Sequence, residues 1–527
     1  MSHLMITGAT GLLGSYLLAD LLEQGVQVAC LVRRSGKTES RHRVDHLLRR
    51  FDTSRGFSLP RPVVIEGNLN HSDLGIDSTA RKWISEHCLG IIHCAASLEF
   101  HQNAKTGEPY RTNVESVRRL IDFARQVGIQ NFHHVSTAYV CGKRSGTILE
   151  AELNAGQEFG NDYEQSKFTA ETEVRNAAGF TTTTVYRPSI IVGDSRSSYT
   201  STFQGFYTPL QAGYALASRH QFRTTVGAPF LRQLGLTGNE GKNLVPVDWV
   251  SSVITHIISQ PRLHGRTYHL TNPMPTSTGD IDAAIAEAIS ICASTRSNGA
   301  IDADADAIHA PTSRSSAEEL WFQDQMATYR NYLRDDPRFD CRNVLEATPS
   351  LSCPVVDRSA LVKMAKWAIE NRFGLPKPRI SVPSFDVDYV LRKNLAPEPS
   401  ADHPTDSTPA GQLLGICVTG SGGGTWTLSL HNERVQSVKP GLDSKADVLC
   451  RVSAHTLANL AGGSRTISEV TYAGRLLWEG RRAPKSPAEE AKLFGIIAKL
   501  FESGSLAGSS SSEHGPSTSA FASVESN

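Results

Sequence analysis

The sequence has no surplus of either charge, no long apolar run and no closely spaced cysteine pairs, and each absence removes a class of function. Lys and Arg number 53 and Asp and Glu 53, a balance that argues against a nucleic-acid or anionic-membrane surface. No segment approaches the 18 or so uninterrupted apolar residues of a membrane-spanning helix, and the start, Met1-Ser2-His3-Leu4-Met5-Ile6-Thr7-Gly8, has no basic run followed by an apolar stretch and a small-residue cleavage site. A cytoplasmic protein with no membrane span is expected. The nine cysteines lack the C-x-x-C spacing of zinc or redox sites, and their odd number suits reduced thiols, so neither a metal nor a disulfide framework is expected. At 527 residues the chain exceeds what one hydrophobic core supports, and two or three domains are expected.

What is present is alternation. From residue 3 to about 195, short β-branched runs (Met5 to Thr7, Val26 to Val32, Val63 to Glu66, Gly90 to His93, Phe132 to Ser136, Thr182 to Tyr186) alternate with longer amphipathic stretches. Leu12 to Gln24 carries leucine at 12, 13, 17, 18, 21 and 22, which is helical spacing, and Asn113 to Val127 follows it less cleanly. The pattern predicts an α/β fold with a doubly wound parallel Rossmann sheet. Residues 1–310 form the expected first unit, in which the region beyond 195, with Leu244 to Asp248 and Thr267 to Leu270, is taken as a smaller substrate lobe. A helical extension is expected over 311–394, with Leu320-Trp321-Phe322 and Leu361 to Ile369 as its apolar faces. Residues 395–410, rich in Pro, Ser, Thr and Asp, read as a linker. A small α+β domain with period-2 strands is expected over 411–502, and the Ser/Gly-rich end, 503–527, as a disordered tail.

Thr7-Gly8-Ala9-Thr10-Gly11-Leu12-Leu13-Gly14 sits where the first strand turns into the first helix. Glycine there permits a tight turn, close approach to a pyrophosphate and helix–strand packing, while the helix N-terminus offers free N–H groups. A lone glycine triplet is weak evidence, but this context favours a dinucleotide. An NAD site places an acid after the second strand for the ribose 2′-hydroxyl, whereas this chain has Leu31-Val32-Arg33-Arg34, which favours the 2′-phosphate of NADPH. The alternative is that Arg33 and Arg34 are solvated surface charges.

Tyr163-Glu164-Gln165-Ser166-Lys167 places a phenol and an ammonium four residues apart, on one face if helical, so that the cation can lower the phenol pKa. The same spacing recurs at Tyr139 to Lys143 and Tyr389 to Lys393. Tyr139 precedes a glycine at a strand end and Tyr389 lies outside the Rossmann region, so Tyr163 is preferred. Thr137, at the end of the strand Phe132 to Ser136, would face the ligand crevice; the alternative is a hydroxyl that merely satisfies the strand end.

Together these residues resemble the extended short-chain dehydrogenase/reductase superfamily, and within it the branch of thioester reductases and fatty acyl reductases with a male-sterility-type NAD-binding domain. The resemblance covers residues 1 to about 380. It is carried by the glycine loop, Gly67-Asn68-Leu69, His93-Cys94-Ala95-Ala96-Ser97, Asn113-Val114, Val135-Ser136-Thr137-Ala138-Tyr139, Tyr163 through Lys167, and Tyr186-Arg187-Pro188-Ser189-Ile190-Ile191-Val192-Gly193-Asp194; Phe339-Asp340-Cys341-Arg342-Asn343 is similar to the helical extension of acyl reductases. It implies that the cofactor is bound by Thr7, Gly8, Thr10, Gly11, Leu12, Leu13 and Gly14, by Arg33 and Arg34, by Asn68 and Leu69 at the adenine, and by Ala95, Ala96, Asn113, Tyr163, Lys167, Pro188 and Ile190. Asn68 departs from the branch's usual Gly-Asp-Leu. It implies further that Thr137 and Tyr163 hydrogen-bond a carbonyl oxygen while Lys167 binds the nicotinamide ribose. A hydrophobic acyl substrate carried on a protein or on coenzyme A follows from the same likeness.

Rival readings share this machinery. Sugar-nucleotide epimerisation and hydroxysteroid oxidation remain open, since substrate choice lies in the lobe, and a non-catalytic lipid-transfer protein is the rival of another class. Residues 411 to about 502 resemble sterol-carrier-protein domains through Gly424 to Leu428, Ala446 to Leu460 and Tyr472 to Gly480. That likeness implies an apolar tunnel and a lipid ligand; the alternative is that Trp426, Leu460 and Leu477 only fill a small core.

Overall fold

Apart from scattered positions, the computed structural model describes residues 2–219, 235–297, 334–376, 385–394 and 412–502, together with Met326 and Tyr332. The expected apolar face Leu320-Trp321-Phe322, the linker and the tail lie outside these residues. The strands β1 (His3–Thr7), β2 (Val28–Val32), β3 (Val63–Glu66), β4 (Cys88–His93), β5 (Asn131–Val135), β6 (Thr182–Pro188) and β7 (Thr267–Leu270) form one sheet in the order β3-β2-β1-β4-β5-β6-β7. Every pairing in it is parallel. Burial on both faces explains the unbroken apolar runs: all five residues of β2 are buried.

Helix α1 (Leu12–Glu23) buries nine residues, including all but Leu12 of the leucines whose spacing announced it. It is followed by α2 (Ser40–Arg55), α3 (Ser78–His87), α4 (Ser116–Gln126), α5 (Asp162–Asn176), α6 (Tyr207–Arg219), α7 (Val247–Ile258) and α8 (Thr278–Ser297). One expectation is corrected. Thr267 to Leu270 belongs not to the substrate lobe but to the main sheet, paired with β6 from Thr267↔Val185 to Leu270↔Pro188. The lobe is instead built by α6, α8 and α9 (Arg358–Glu370), whose buried residues Leu210, Ile285, Leu361 and Ala365 share one cluster.

A second sheet, antiparallel apart from one parallel pair, occupies the C-terminal region: β8 (Gln412–Thr419), β9 (Gly424–His431), β10 (Arg434–Pro440), β11 (Val448–Ser453) and β12 (Leu476–Glu479), in the order β10-β9-β8-β11-β12. Its core takes Phe494 and Ile497 from α12 (Pro487–Glu502) and Leu457 from α11 (Ala454–Ala461). It also takes Val387 and Leu391 from α10 (Val387–Asn394), a helix that precedes the low-complexity segment. The sequence assigns α10 to the reductase extension; its apolar face is buried in the other domain. Trp426 is buried there and Leu460 partly so, but Leu477 is exposed, because alternation along the edge strand β12 turns it outward.

Candidate active site

The strand order reverses between β1 and β4, and the loops after these two strands meet at that point. Gly8 adopts φ +75°, and a Cβ on it would lie 2.5 Å from the Ala95 nitrogen. A Cβ on Gly14 would lie 2.1 Å from the Gly8 carbonyl oxygen. Two loops and the start of α1 are thus packed backbone on backbone. Gly11 caps α1 without any side-chain hydrogen bond, so the first-turn N–H groups remain available to an anion, which is what a pyrophosphate requires.

A cavity of about 360 Å³ is lined by Gly8, Gly11, Leu12, Leu13 and Gly14 of this loop. Thr137, Tyr163 and Lys167 line it too, with Ala96, Pro188 and Ile190. Leu98, Phe100, Phe206, Leu244, Ile281, Met326 and Tyr332 make the rest largely apolar. Tyr163 lies in the first turn of α5, whose N-cap Asn161 accepts from the Glu164 N–H at 2.9 Å. Four residues on, Lys167 is fully buried and donates to the Val135 carbonyl at 2.7 Å. One turn further, Glu171 meets Arg187 of β6 at 2.7 Å with both side chains inaccessible, and Ser136 donates to Glu171 at 2.6 Å. This buried pair fixes the helix against β5 and β6, and with it the positions of Tyr163 and Lys167.

Burial pushes the Tyr163 phenol up to about 12 against the lowering influence of the neighbouring Thr137 hydroxyl, so the tyrosine holds its proton at neutral pH. Desolvation lowers Lys167 to about 8. Tyr139 lines the same cavity, but its hydroxyl donates to Asp336 at 2.7 Å, and Asp336 also takes Lys242 at 2.6 Å. The third Tyr–Lys pair fares differently again: Tyr389 stands exposed on α10.

Not every expected cofactor residue reaches the cavity wall. The Thr7 hydroxyl is buried against His93 Nδ1 at 2.8 Å. Asn68 uses its side-chain oxygen to accept from the Asn70 N–H at 3.1 Å, closing a local turn. Leu69 packs on the core. Asn113 braces the loop by donating to the Ser97 carbonyl and to Ser166. Arg34 pairs with Glu66 at 3.0 Å, while Arg33 stands exposed at the end of β2. Sequence reasoning missed Arg43. From the first turn of α2 it donates to the Arg33 carbonyl at 2.5 Å and approaches the Thr10 hydroxyl at 3.5 Å, so it joins the Arg33 segment to the glycine loop. Ten residues of sequence separate it from Arg33, and only the return of the chain through α2 brings them together. Phe100 and Tyr332 were also missed; their rings stack at 5.4 Å on one wall.

Residues 6–254 match the NAD-binding family described as "Male sterility protein". This match, with its reductase relatives, supports the branch of the extended short-chain dehydrogenase/reductases that contains thioester reductases. "Nonribosomal peptide synthetase asaC" of Aspergillus flavus is 27% identical over 296 residues, covering 53% of this chain and 27% of that protein. "Aldehyde reductase lnbA" of the same organism is 25% identical over 296 residues, 54% of this chain and 28% of its own length. The chain thus spans little more than a quarter of these relatives. "Fatty acyl-CoA reductase 1" of Pongo abelii is 26% identical over 282 residues, 47% of this chain and 52% of its own length. Among solved structures, the terminal R domain of the myxalamid PKS-NRPS pathway aligns with a TM-score of 0.55 and 23% identity, over 72% of this chain and 93% of the R domain. That likeness shows a shared fold. No helix among the described residues is long and apolar enough to cross a membrane, and no group of three or more His, Cys, Asp or Glu there is placed to hold a metal ion.

Proposed function

We propose that the chain is an NADP(H)-dependent reductase of an acyl thioester or of the aldehyde derived from it, with Thr137, Tyr163 and Lys167 as its catalytic residues. The observation that carries this reading is that Thr137, a protonated Tyr163 and a buried Lys167 all line one largely apolar cavity whose wall includes the glycine loop. When bound, the dinucleotide supplies hydride to the carbonyl carbon. Tyr163 and Thr137 hydrogen-bond the oxygen as charge develops on it, and Tyr163 supplies the proton that leaves a neutral hemithioacetal. Collapse of that species releases thiol and aldehyde, so one thioester, one reduced cofactor and one proton give one aldehyde, one thiol and the oxidised cofactor. Lys167 holds the ribose and keeps positive charge beside Tyr163. The apolar wall suits a hydrophobic acyl group, delivered on a carrier protein or on coenzyme A. The sterol-carrier-like domain is proposed to hold the alkyl part of substrate or product close by.

The test is the purified chain with NADPH against a panel of acyl thioesters, aldehydes and hydroxysteroids, with products identified by mass spectrometry; turnover of the steroids alone would replace this reading. Fluorescent fatty-acyl and sterol probes added to the full chain test the second domain, and failure of both to bind at micromolar concentration would make it a docking module. The Lys167 shift also sets a pH dependence. A lysine is charged below its pKa, so kcat/KM for reduction is expected to fall as pH rises through about 8. A profile flat to pH 10 would remove the charged Lys167 from the mechanism.

A further inference from the structure

The C-terminal domain is seated on the dinucleotide-binding unit at the start of α2. Arg41, in the first turn of α2, forks onto Asp386, with Nη1 donating to Oδ1 at 2.5 Å and Nη2 to Oδ2, and it also reaches Asp388 Oδ2 at 3.3 Å. His42 Nε2 meets Asp386 Oδ2 at 3.2 Å. Asp45, four residues after Arg41 and so on the same helix face, accepts from the Ser421 hydroxyl at 2.8 Å and from the Gly422 N–H at 3.1 Å. Asp386 and Asp388 flank the start of α10, so these partners all belong to the C-terminal body.

The same helical turn serves the glycine loop. Arg43 lies two residues from Arg41, about 200° around the helix, and points the opposite way, to the Arg33 carbonyl and the Thr10 hydroxyl. Ser40 donates to Glu66 at 2.9 Å, and Glu66 holds Arg34. By itself this turn is poorly built. Its N-cap Glu39 makes no side-chain cap bond, accepting instead from Arg41 Nε at 3.0 Å, and the first turn holds no acidic residue, yet Arg41 and Arg43 stand where the helix dipole disfavours cations. Carboxylates of the C-terminal body offset that cost at Arg41.

We propose that Arg41 is a positioning residue for the 2′-phosphate of NADPH: gripped by Asp386 and Asp388, it holds the first turn of α2 so that Arg43 and Arg33 converge beside the glycine loop. The C-terminal domain thereby acts on cofactor choice without touching the cofactor. This rests on the NADP(H) reading above.

The experiment measures NADPH and NADH affinity by nucleotide fluorescence titration on the full chain, with no substrate needed. Three variants are compared with wild type: Arg41→Gln, the pair Asp386→Asn with Asp388→Asn, and all three together. Asn keeps the oxygen with which Asp386 caps α10 through the Tyr389 N–H. The Kd for NADPH is expected to rise about tenfold in the first two, the Kd for NADH to stay put, and the triple variant to be no weaker than either, since the same Arg41–carboxylate contact is lost each time. Unchanged NADPH affinity, or equal weakening for both nucleotides, overturns the positioning role. A wild-type chain that binds both nucleotides alike overturns the cofactor reading instead, whatever the variants do.

Discussion

Replacing Tyr163 by Phe is expected to lower kcat by about 10²- to 10⁴-fold while the Kd for NADPH changes less than twofold, because proton donation is lost and the ring remains. The magnitude follows from the surroundings. The phenol, held at about 12, is the group beside the Thr137 hydroxyl inside the cavity. Tyr139, another phenol in the wall, has its hydroxyl committed to Asp336, which in turn carries Lys242 and the Asn243 N–H. Single-turnover reduction by Tyr163→Phe at the wild-type rate would mean that the proton comes from elsewhere, and Tyr139→Phe would then be the informative variant.

The second large effect concerns folding. A fragment of residues 408–503, cut where composition changes, lacks α10. Val387 and Leu391, 0% and 3% exposed, would be missing from the core they share with Trp426 and Phe494. Burying a Val and a Leu contributes about 1.5–3 kcal/mol each, so a fragment beginning at residue 383 is expected to be about 3–6 kcal/mol more stable to urea than the shorter one. For a domain of this size such a loss is comparable to total stability. Equal midpoints for the two fragments would show that α10 is an accessory.

These two expectations mark how far the sequence could be read. The parallel strands were legible because burial on both faces leaves apolar runs that nothing else explains, and α1 because its leucines repeat with helical spacing. The glycine loop and the Tyr163 segment were legible because the chemistry of each sits within a few consecutive residues. What failed was non-local. Thr267 to Leu270 reads as a strand, but nothing in those four residues says that it joins β6. Arg43 meets Arg33 only because α2 turns the chain back, and Asp336 meets Tyr139 across 197 positions. Leu477 was misplaced for a different reason: an edge strand and an inner strand carry the same alternation, and only the sheet decides which face is outward. The low-complexity stretch was the most misleading feature, since composition marks where a chain gains nothing by ordering, not where one folded body ends.

The place of α10 in the C-terminal core governs how such a chain can be cut and rejoined. Residues 395–411 join α10 to β8, and both ends of that segment belong to one body. The segment therefore does not set the spacing between reductase and C-terminal domain, and shortening or lengthening it should leave their mutual placement alone. A protease acting there would yield two pieces that stay together. A recombination event at the same place would separate a helix from the core that needs it, whereas a crossover between α9 and α10, upstream of residue 385, would move the C-terminal body entire. The C-terminal folded body thus begins before the proline- and serine-rich stretch, and chimeras joined there are the ones expected to fold.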